Sequence, residues 1–387
     1  MEAQEFIRKE KGDKPILAIC YDFDKTLTPT DMQNQGFIQS LGYDIESFWK
    51  KSNVFAKEND MDQNLAYMFT MIQEAKGKFD LTKEKLQNFG KTIKFFKGVE
   101  SWFKRIREYG EKRGVRVEHY IISSGIREMV EGTPIFKDLD GVFACSFHYN
   151  GEGTPDWPVQ VVNYTNKTQF LFRIEKGTMD VNDPDVNTLL PESEIRVPFR
   201  NFVYIGDSDT DIPCMTLVNS KGGYSIGVYN PESNDKSKVY KMIAERRIKY
   251  FSSADYSENS EMDRFIKAVV DKTYLNEKIE AKYLSCKNEY EQYRHDTSDN
   301  EIEKANLISA LEDCTNFRAT HMTVKKLSKK GGWTVAQANK LLRIALENSQ
   351  VKWILADTDV KEFYETVLAT AGADAALAEK VRKAINP

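Results

Sequence analysis

ILAICYDFDKTLT, residues 16–28, sets an apolar run from Ile16 to Cys20 against two aspartates separated by one aromatic, Asp22-Phe23-Asp24. A short apolar run closed by polar residues predicts a buried parallel strand. Ligands of open α/β sheets collect beyond the carboxyl ends of such strands, so Asp22 and Asp24 sit where chemistry is expected. In extended backbone, residues i and i+2 point the same way, and both carboxylates are expected to face one site. Two like charges that close repel unless a cation lies between them or one is protonated. An isolated Asp-x-Asp is explained equally well by a strand-end turn with solvated carboxylates. The remaining residues have to decide.

A chain of 387 residues is too long for one ordinary core and predicts two or three domains. With 41% hydrophobic and 29% charged residues the composition is globular, and a net charge of -4 gives no global basic field to hold nucleic acid. The cysteines (Cys20, Cys145, Cys214, Cys286, Cys314) are scattered, odd in number and form no C-x-x-C, which argues against a disulfide framework and a zinc knuckle. His119, His148, His295 and His321 have no ligand-like spacing and read as structural. MEAQEFIRKEKGDKP (1–15) has no apolar signal core, and no apolar run approaches ~18 residues. A soluble, cytoplasmic protein is expected.

Residues 30–100 change texture. Apolar residues recur at three- and four-residue spacings among Lys and Glu, predicting amphipathic helices inserted after the first strand, with Tyr67, Met68, Phe69 and Met71 as their core. Gly98 opens a further helix to about Tyr109. A second buried strand, Val115 to Ile122, ends in Ser123-Ser124-Gly125 before a helix from Ile126. A hairpin is predicted around the Gly-rich turn between FACSFHYNGEGTP and PVQVVNY. Asn166-Lys167-Thr168 starts a helix closed by Gly177. A third strand, Phe202 to Ile205, ends in Gly206-Asp207-Ser208-Asp209-Thr210-Asp211, and a fourth runs from Gly223 to Val228.

Three apolar strands thus end in polar clusters, and in a parallel sheet their carboxyl ends share one edge. Here the chain resembles the haloacid dehalogenase (HAD) superfamily. The motifs DFDKTLT (22–28), IISSG (121–125), NKT (166–168) and GDSDTD (206–211) match in order, within residues 15 to about 270. The resemblance implies an α/β fold: a Rossmann-like parallel sheet with helices on both faces, an inserted helical cap and an extra C-terminal all-helical domain. The expected division is a catalytic core of 1–29 and 101–275, a cap of 30–100, a helix and linker of 276–300, and a helical module of 301–387.

The same resemblance implies a phosphoric monoester hydrolase. A phosphate monoester resists water, so a site must neutralise charge and position a nucleophile. The family pattern gives Asp22 the nucleophilic role through an aspartyl-phosphate. Mg²⁺ is the implied cofactor, held by Asp22, the main-chain carbonyl of Asp24, and Asp207, with Asp211 holding the metal or its water. Asp24 is the implied acid and then base. Its presence favours phosphatases and phosphomutases over dehalogenases, which lack this aspartate, and transport ATPases, which carry threonine. Ser123 is expected to hold a phosphoryl oxygen with the N–H groups of Ser124 and Gly125 at a helix start, and Lys167 to bridge Asp22 and the phosphoryl group. Thr26 and Thr28 are expected to tie down the loop, Asp31, Gln33 and Asn34 to touch substrate, and Asp209 to be a solvated turn residue.

Beyond about residue 275 the resemblance ends. VKKLSKKGGWTVAQANKLLRIALEN reads as helix, Gly-Gly turn, helix, with Thr334 and Gln337 as a capping box. Lys325, Lys326, Lys329, Lys330, Lys340 and Arg343 give a local basic face, a pattern that also suits a DNA reader. Asp357, Asp359, Glu362 and Glu365 follow closely. A module for protein partners or self-association is favoured over nucleic-acid binding. The expected function is a Mg²⁺-dependent phosphatase of a small phosphorylated metabolite. A phosphomutase or phosphotransferase, and a regulatory sensor of a phosphorylated ligand, are the alternatives.

Overall fold

The computed structural model describes residues 6–386. Its strands are β1 (Ile16–Tyr21), β2 (Arg116–Ile126), β3 (Gly141–Tyr149), β4 (Pro155–Gln160), β5 (Phe202–Gly206), β6 (Tyr224–Tyr229) and β7 (Tyr250–Ser253). They form one sheet in the order β4-β3-β2-β1-β5-β6-β7. Every pairing is parallel except the β3–β4 hairpin. β1 is central and buried along its whole length, which is why its sequence is an unbroken apolar run rather than an alternation. Tyr21 is in register with both Ile121 and Ile205, and the Asp22 N–H donates to the Ile205 carbonyl at 2.9 Å. The carboxyl ends of β1, β2 and β5 are therefore level.

Two strand expectations need correction. β2 continues through Ser123, Ser124 and Gly125 to Ile126, which pairs with Cys145 of β3 after a register shift. The serines read as a strand end, but a neighbouring strand still offers them a pairing edge. β7 has no counterpart among the sequence expectations: YFSS is too short and polar to stand out, and its pairing with β6 makes it a strand.

The inserted segment folds as α1 (Phe37–Ser40), α2 (Ile45–Glu58), α3 (Gln63–Ala75) and α4 (Lys83–Gly90). Side chains of Asp44, Asp62 and Thr82 cap the last three by accepting from first-turn N–H groups. Phe37 is its aromatic hub, meeting Phe48, Phe79 and Phe89 edge-on. Tyr67, Met68 and Met71 are buried as expected; Phe69 is exposed instead and stacks on Phe55 at 4.8 Å. Its place in an apolar run suggests the core, but it falls on the solvent side of α3.

The core helices are α5 (Val99–Lys112), α6 (Arg127–Glu131), α7 (Lys167–Lys176), α8 (Ile212–Ser220), α9 (Ser237–Ala244) and α10 (Glu261–Asp296). Gly177 closes α7 in the left-handed conformation, φ 80°. α4 and α6 meet backbone to backbone: a Cβ on Gly90 would stand 2.0 Å from the Met129 carbonyl, and one on Gly132 1.9 Å from that of Gln87. Beneath the site, the Tyr21 hydroxyl accepts from the Trp102 indole at 2.7 Å and meets His119 Nδ1 at 3.0 Å. Cys20, Cys145, Cys214 and Cys314 are buried and all five cysteines are unpaired.

The chain divides into two compact units, up to Ile279 and from Glu280 onward. In the second, α11 (Asp299–Glu312), α12 (Phe317–Leu327), α13 (Val335–Glu347), α14 (Ser349–Trp353), α15 (Thr358–Leu368) and α16 (Ala375–Ile385) surround their own apolar core. α10 ends at Asp296 and α11 begins at Asp299, so of the expected linker DTSDNE only Thr297 and Ser298 lie outside a helix. The Thr334–Gln337 capping box forms. Of the local basic residues in this unit, Lys340 pairs with Glu312 at 2.7 Å and Lys330 with Glu303. Among the described residues no helix is long and apolar enough to cross a membrane.

Candidate active site

Because the strand ends are level, they deliver their polar residues to one place. One residue past Tyr21, β1 supplies Asp22; β2 brings Ser123 and β5 brings Asp207 to the same edge. The turn after β5 then folds back on itself. Asp211 Oδ1 accepts from the Tyr204 hydroxyl at 2.9 Å, and its Oδ2 from the Ser208 N–H at 3.3 Å. Gly206 permits this return, since a Cβ there would lie 2.5 Å from the Asp211 carboxylate. Asn163 and Asn166 shape the turn into α7: the Asn163 N–H donates to Asn166 Oδ1 at 2.8 Å, and Asn166 Nδ2 to the Val161 carbonyl at 2.8 Å. That turn aims Lys167 inward. Lys167, only 1% exposed, donates from Nζ to Asp22 Oδ1 and Asp211 Oδ1, each at 2.8 Å.

The four sequence motifs meet at one edge of a parallel sheet whose first crossover carries a helical insert. The fold is haloacid dehalogenase-like. No family model matches the sequence. An uncharacterized protein of Borreliella burgdorferi is 28% identical over 281 residues, covering 65% of this chain and 95% of its own. Among solved structures, a HAD family hydrolase from Salmonella enterica serovar Typhi aligns at 16% identity and TM-score 0.42, over 62% of this chain and 67% of its own. A probable phosphoserine phosphatase from Vibrio cholerae aligns at 12% identity and TM-score 0.45, over 68% and 67% respectively. A phosphoserine phosphatase with a phospho-aspartyl intermediate analogue aligns at 19% identity and TM-score 0.40, over 66% and 99%.

In this HAD-like site, Asp22, Asp207 and Asp211 each offer an oxygen, and these atoms lie within 4.8 Å of one another. Burial first, then Asp211 and Asp207 against the pull of Lys167, pushes Asp22 up to about 7. Asp207 is raised by burial and Asp211, with Lys238 Nζ at 3.3 Å from its Oδ2 opposing. Burial works against the Lys167 ammonium, yet Asp211 and Asp22 outweigh it and raise its pKa. An all-oxygen set of crowded carboxylates, left short of positive charge by one buried lysine, fits a hard divalent cation.

Asp24 stands apart from that triad. Its Oδ1 accepts from the Met32 N–H at 2.7 Å, and burial, followed by Asp31 and Asp22, raises its pKa well above the usual carboxylate range. Lys25, in the left-handed region at φ 60°, turns the chain here and pairs with Asp31 at 2.8 Å. Thr28 ties the loop by donating to the Thr30 carbonyl at 2.8 Å. Thr26 ties the loop too, through its carbonyl, held by the Tyr256 hydroxyl at 2.9 Å, while its own hydroxyl is buried without a partner. Asp209 is exposed, as a turn residue should be.

The Ser123 segment also needs correction. The expected helix is there, N-capped by Ile126 and running from Arg127 to Glu131, but it is only five residues long. The Gly125 N–H donates to Ser123 Oγ at 3.0 Å instead. Gly125 packs against the end of the Met32 side chain, 2.2 Å from where a Cβ would stand. Ser124 meets the inserted helices, its carbonyl accepting from the Tyr67 hydroxyl of α3 at 2.5 Å.

A cavity of about 460 Å³ joins Asp22, Asp24, Ser123, Ser124, Lys167 and Asp207, and Asp31 reaches it too. Sequence reasoning missed others on its wall: Lys25, Asp62, Asn64, Tyr164 and Lys238. Lys25 lies inside the first motif and is legible as a charge beside it. Nothing local marks Lys238. Gln33 and Asn34 do not line this cavity: Gln33 is buried, and Asn34 accepts from the Trp49 indole at 2.9 Å and donates to Asp31 at 3.1 Å.

Proposed function

We propose that the chain is a Mg²⁺-dependent phosphatase that hydrolyses a small phosphorylated metabolite through an aspartyl-phosphate on Asp22. The observation that carries this is the convergence of Asp22, Lys167 and Asp211 at hydrogen-bond distance beneath a cavity walled by Asp24, Ser123 and Asp207. Asp22, Asp207 and Asp211 would hold the cation, which when bound neutralises phosphoryl charge and lets a carboxylate approach.

Lys167 engages Asp22 Oδ1, fixing the carboxylate's rotation and leaving Oδ2 without a protein partner among the described residues. A free oxygen of Asp22 attacks phosphorus as the ester P–O bond breaks. Asp24, its pKa raised by burial and then by Asp31 and Asp22, gives its proton to the departing alkoxide. As base it then takes a proton from the water that attacks phosphorus, the Asp22–phosphorus bond breaks, and inorganic phosphate leaves. Ser123 is buried at the phosphoryl end and offers its hydroxyl to an oxygen of that group. The five unpaired cysteines suit a reducing, cytoplasmic compartment. The C-terminal helices are read as a surface for a protein partner or a second copy.

The test is phosphate release by the full chain from a panel of phosphomonoesters, p-nitrophenyl phosphate included, with Mg²⁺ and with EDTA. Release that requires Mg²⁺ and disappears in Asp22→Asn supports the assignment. Absence of release from every ester in the presence of Mg²⁺ overturns it.

A further inference from the structure

The inserted helices are joined to the sheet and its helices in two different ways. At α4 the backbones touch, Gly90 against Met129 and Gln87 against Gly132, with no room for a Cβ on either glycine. At the start of α3 the join is made by side chains. Asn64 Nδ2 donates to the Val162 carbonyl at 2.8 Å, and Asp62 Oδ2 accepts from Asn163 Nδ2 at 3.0 Å. Asp62 and Asn64 also wall the phosphoryl cavity. Single hydrogen bonds of this kind add little net stability. Their consequence here is geometric.

Asn163 is where this join meets the buried lysine. Its main-chain carbonyl accepts from the Lys167 N–H at 3.1 Å. Its Oδ1 accepts from the N–H groups of Thr165 and Asn166, each at 3.1 Å. These bonds shape the turn that aims Lys167 at Asp22 and Asp211. The other end of the same side chain, Nδ2, goes to Asp62. Asp62 is committed in its turn: its Oδ1 caps α3 by accepting from the Asn64 and Leu65 N–H groups at 2.8 and 3.2 Å. Neither side chain can turn over without giving up the bonds made by its other atom. The pair therefore fixes the first turn of α3 to the turn before α7, although the two residues are 101 positions apart.

We propose that Asp62 and Asn163 are positioning residues for the reaction: their hydrogen bond makes the placement of Lys167 on Asp22 depend on α3 being seated at the cavity. This rests on the phosphatase assignment and adds to it a link between the inserted helices and the catalytic ammonium group. Reacting groups tolerate little displacement, and a shift of about 1 Å caused by a remote change can cost on the order of 10²-fold. Lys167 acts on the reacting carboxylate, so loosening it removes an interaction of the transition state and the loss belongs in kcat rather than KM.

The experiment exchanges donor and acceptor in the full chain. Values of kcat and KM are measured with Mg²⁺ on p-nitrophenyl phosphate, or on the fastest ester of the panel, well below each protein's melting temperature. In Asp62→Asn the side chain still caps α3, since Asn caps a helix as well as Asp does, but two amide NH₂ groups face each other. In Asn163→Asp two carboxylates do. Each single change should lower kcat by about tenfold or more while KM stays within about threefold of wild type. Asp62→Asn with Asn163→Asp restores the bond in the reverse direction, and kcat should return to within about threefold of wild type. Should Asn163→Asp fail to fold, Asp62→Asn and the double variant decide. An unchanged kcat in Asp62→Asn, a loss confined to KM, or a double variant no better than its singles overturns the inference and leaves the phosphatase assignment standing. No turnover of any ester by the wild type overturns both.

Discussion

Asp22 and Lys167, 145 positions apart in the chain, meet at 2.8 Å with both side chains buried. Lys167 also holds Asp211 at the same distance. One ammonium group thus stands between two carboxylates that would otherwise confront each other in a low-dielectric setting. Its removal leaves uncompensated buried charge, the situation in which breaking an ion pair is most damaging.

Lys167→Met should therefore destabilise the metal-free protein by about 3–5 kcal/mol. Added Mg²⁺ should raise the variant's melting temperature more than the wild type's, because a bound cation replaces part of the missing charge. Thermal melts with EDTA and with Mg²⁺ measure both. Equal shifts in the two proteins would remove the carboxylates and the lysine from a common electrostatic unit.

Asp22→Asn has the opposite stability signature. It removes one of three crowded carboxylates, the one that burial and its neighbours push up to about 7. Phosphate release should fall by on the order of 10³-fold or more, while the melting temperature in EDTA stays level or rises, as strained functional sites do on neutralisation. Retained turnover would take the nucleophilic role away from this residue.

The residues that the sequence pattern brings together here are those carried by the backbone of the sheet. β1, β2 and β5 are buried apolar runs, so their ends could be read, and a parallel sheet forces those ends to one edge. Lys167 and Asp211 come from their motifs. What escaped depends on side chains crossing between distant elements. Tyr67 reads as cap core and is buried as such, yet its hydroxyl reaches the Ser124 carbonyl. Gly125 reads as an amide for an anion, but its N–H turns to Ser123 Oγ. Gln33 reads as a substrate contact from its closeness to the nucleophile, but it is buried and does not line the phosphoryl cavity.

His119 gives the fold a predictable sensitivity to acid. Its ring lies between the Tyr21 hydroxyl at 3.0 Å and the Phe103 carbonyl at 3.1 Å, and burial, helped by Arg107, lowers its pKa to about 3. In the unfolded chain the imidazole protonates near 6.5. Above that value neither state takes the proton. Between pH 6.5 and 3 only the unfolded state does, so each unit of fall in pH removes about 1.4 kcal/mol of stability. The melting temperature should drop between about pH 8 and about pH 5, and His119→Gln should show a smaller drop although less stable at the upper end. Parallel declines in the two proteins would mean that other groups govern acid unfolding.

Asp24 can be separated from Asp22 by the leaving group. A general acid matters in proportion to how badly the departing oxygen needs a proton, and such groups contribute about 10²–10⁴-fold. An alkoxide needs one; p-nitrophenolate does not. The Asp24 carboxyl is half-buried, held by the Met32 N–H at 2.7 Å and raised in pKa by its surroundings, which suits it to giving up a proton to the leaving group. Asp24→Asn should cost about 10²–10⁴-fold in kcat/KM on an alkyl phosphate. On p-nitrophenyl phosphate the first step should survive and the second, which needs a base, should slow. Stopped-flow traces of the variant should then show a burst of nitrophenolate approaching one equivalent of enzyme, followed by slow turnover. A burst rate lowered as much as the alkyl-phosphate kcat/KM would mean that Asp24 positions the ester or the cation rather than moving a proton.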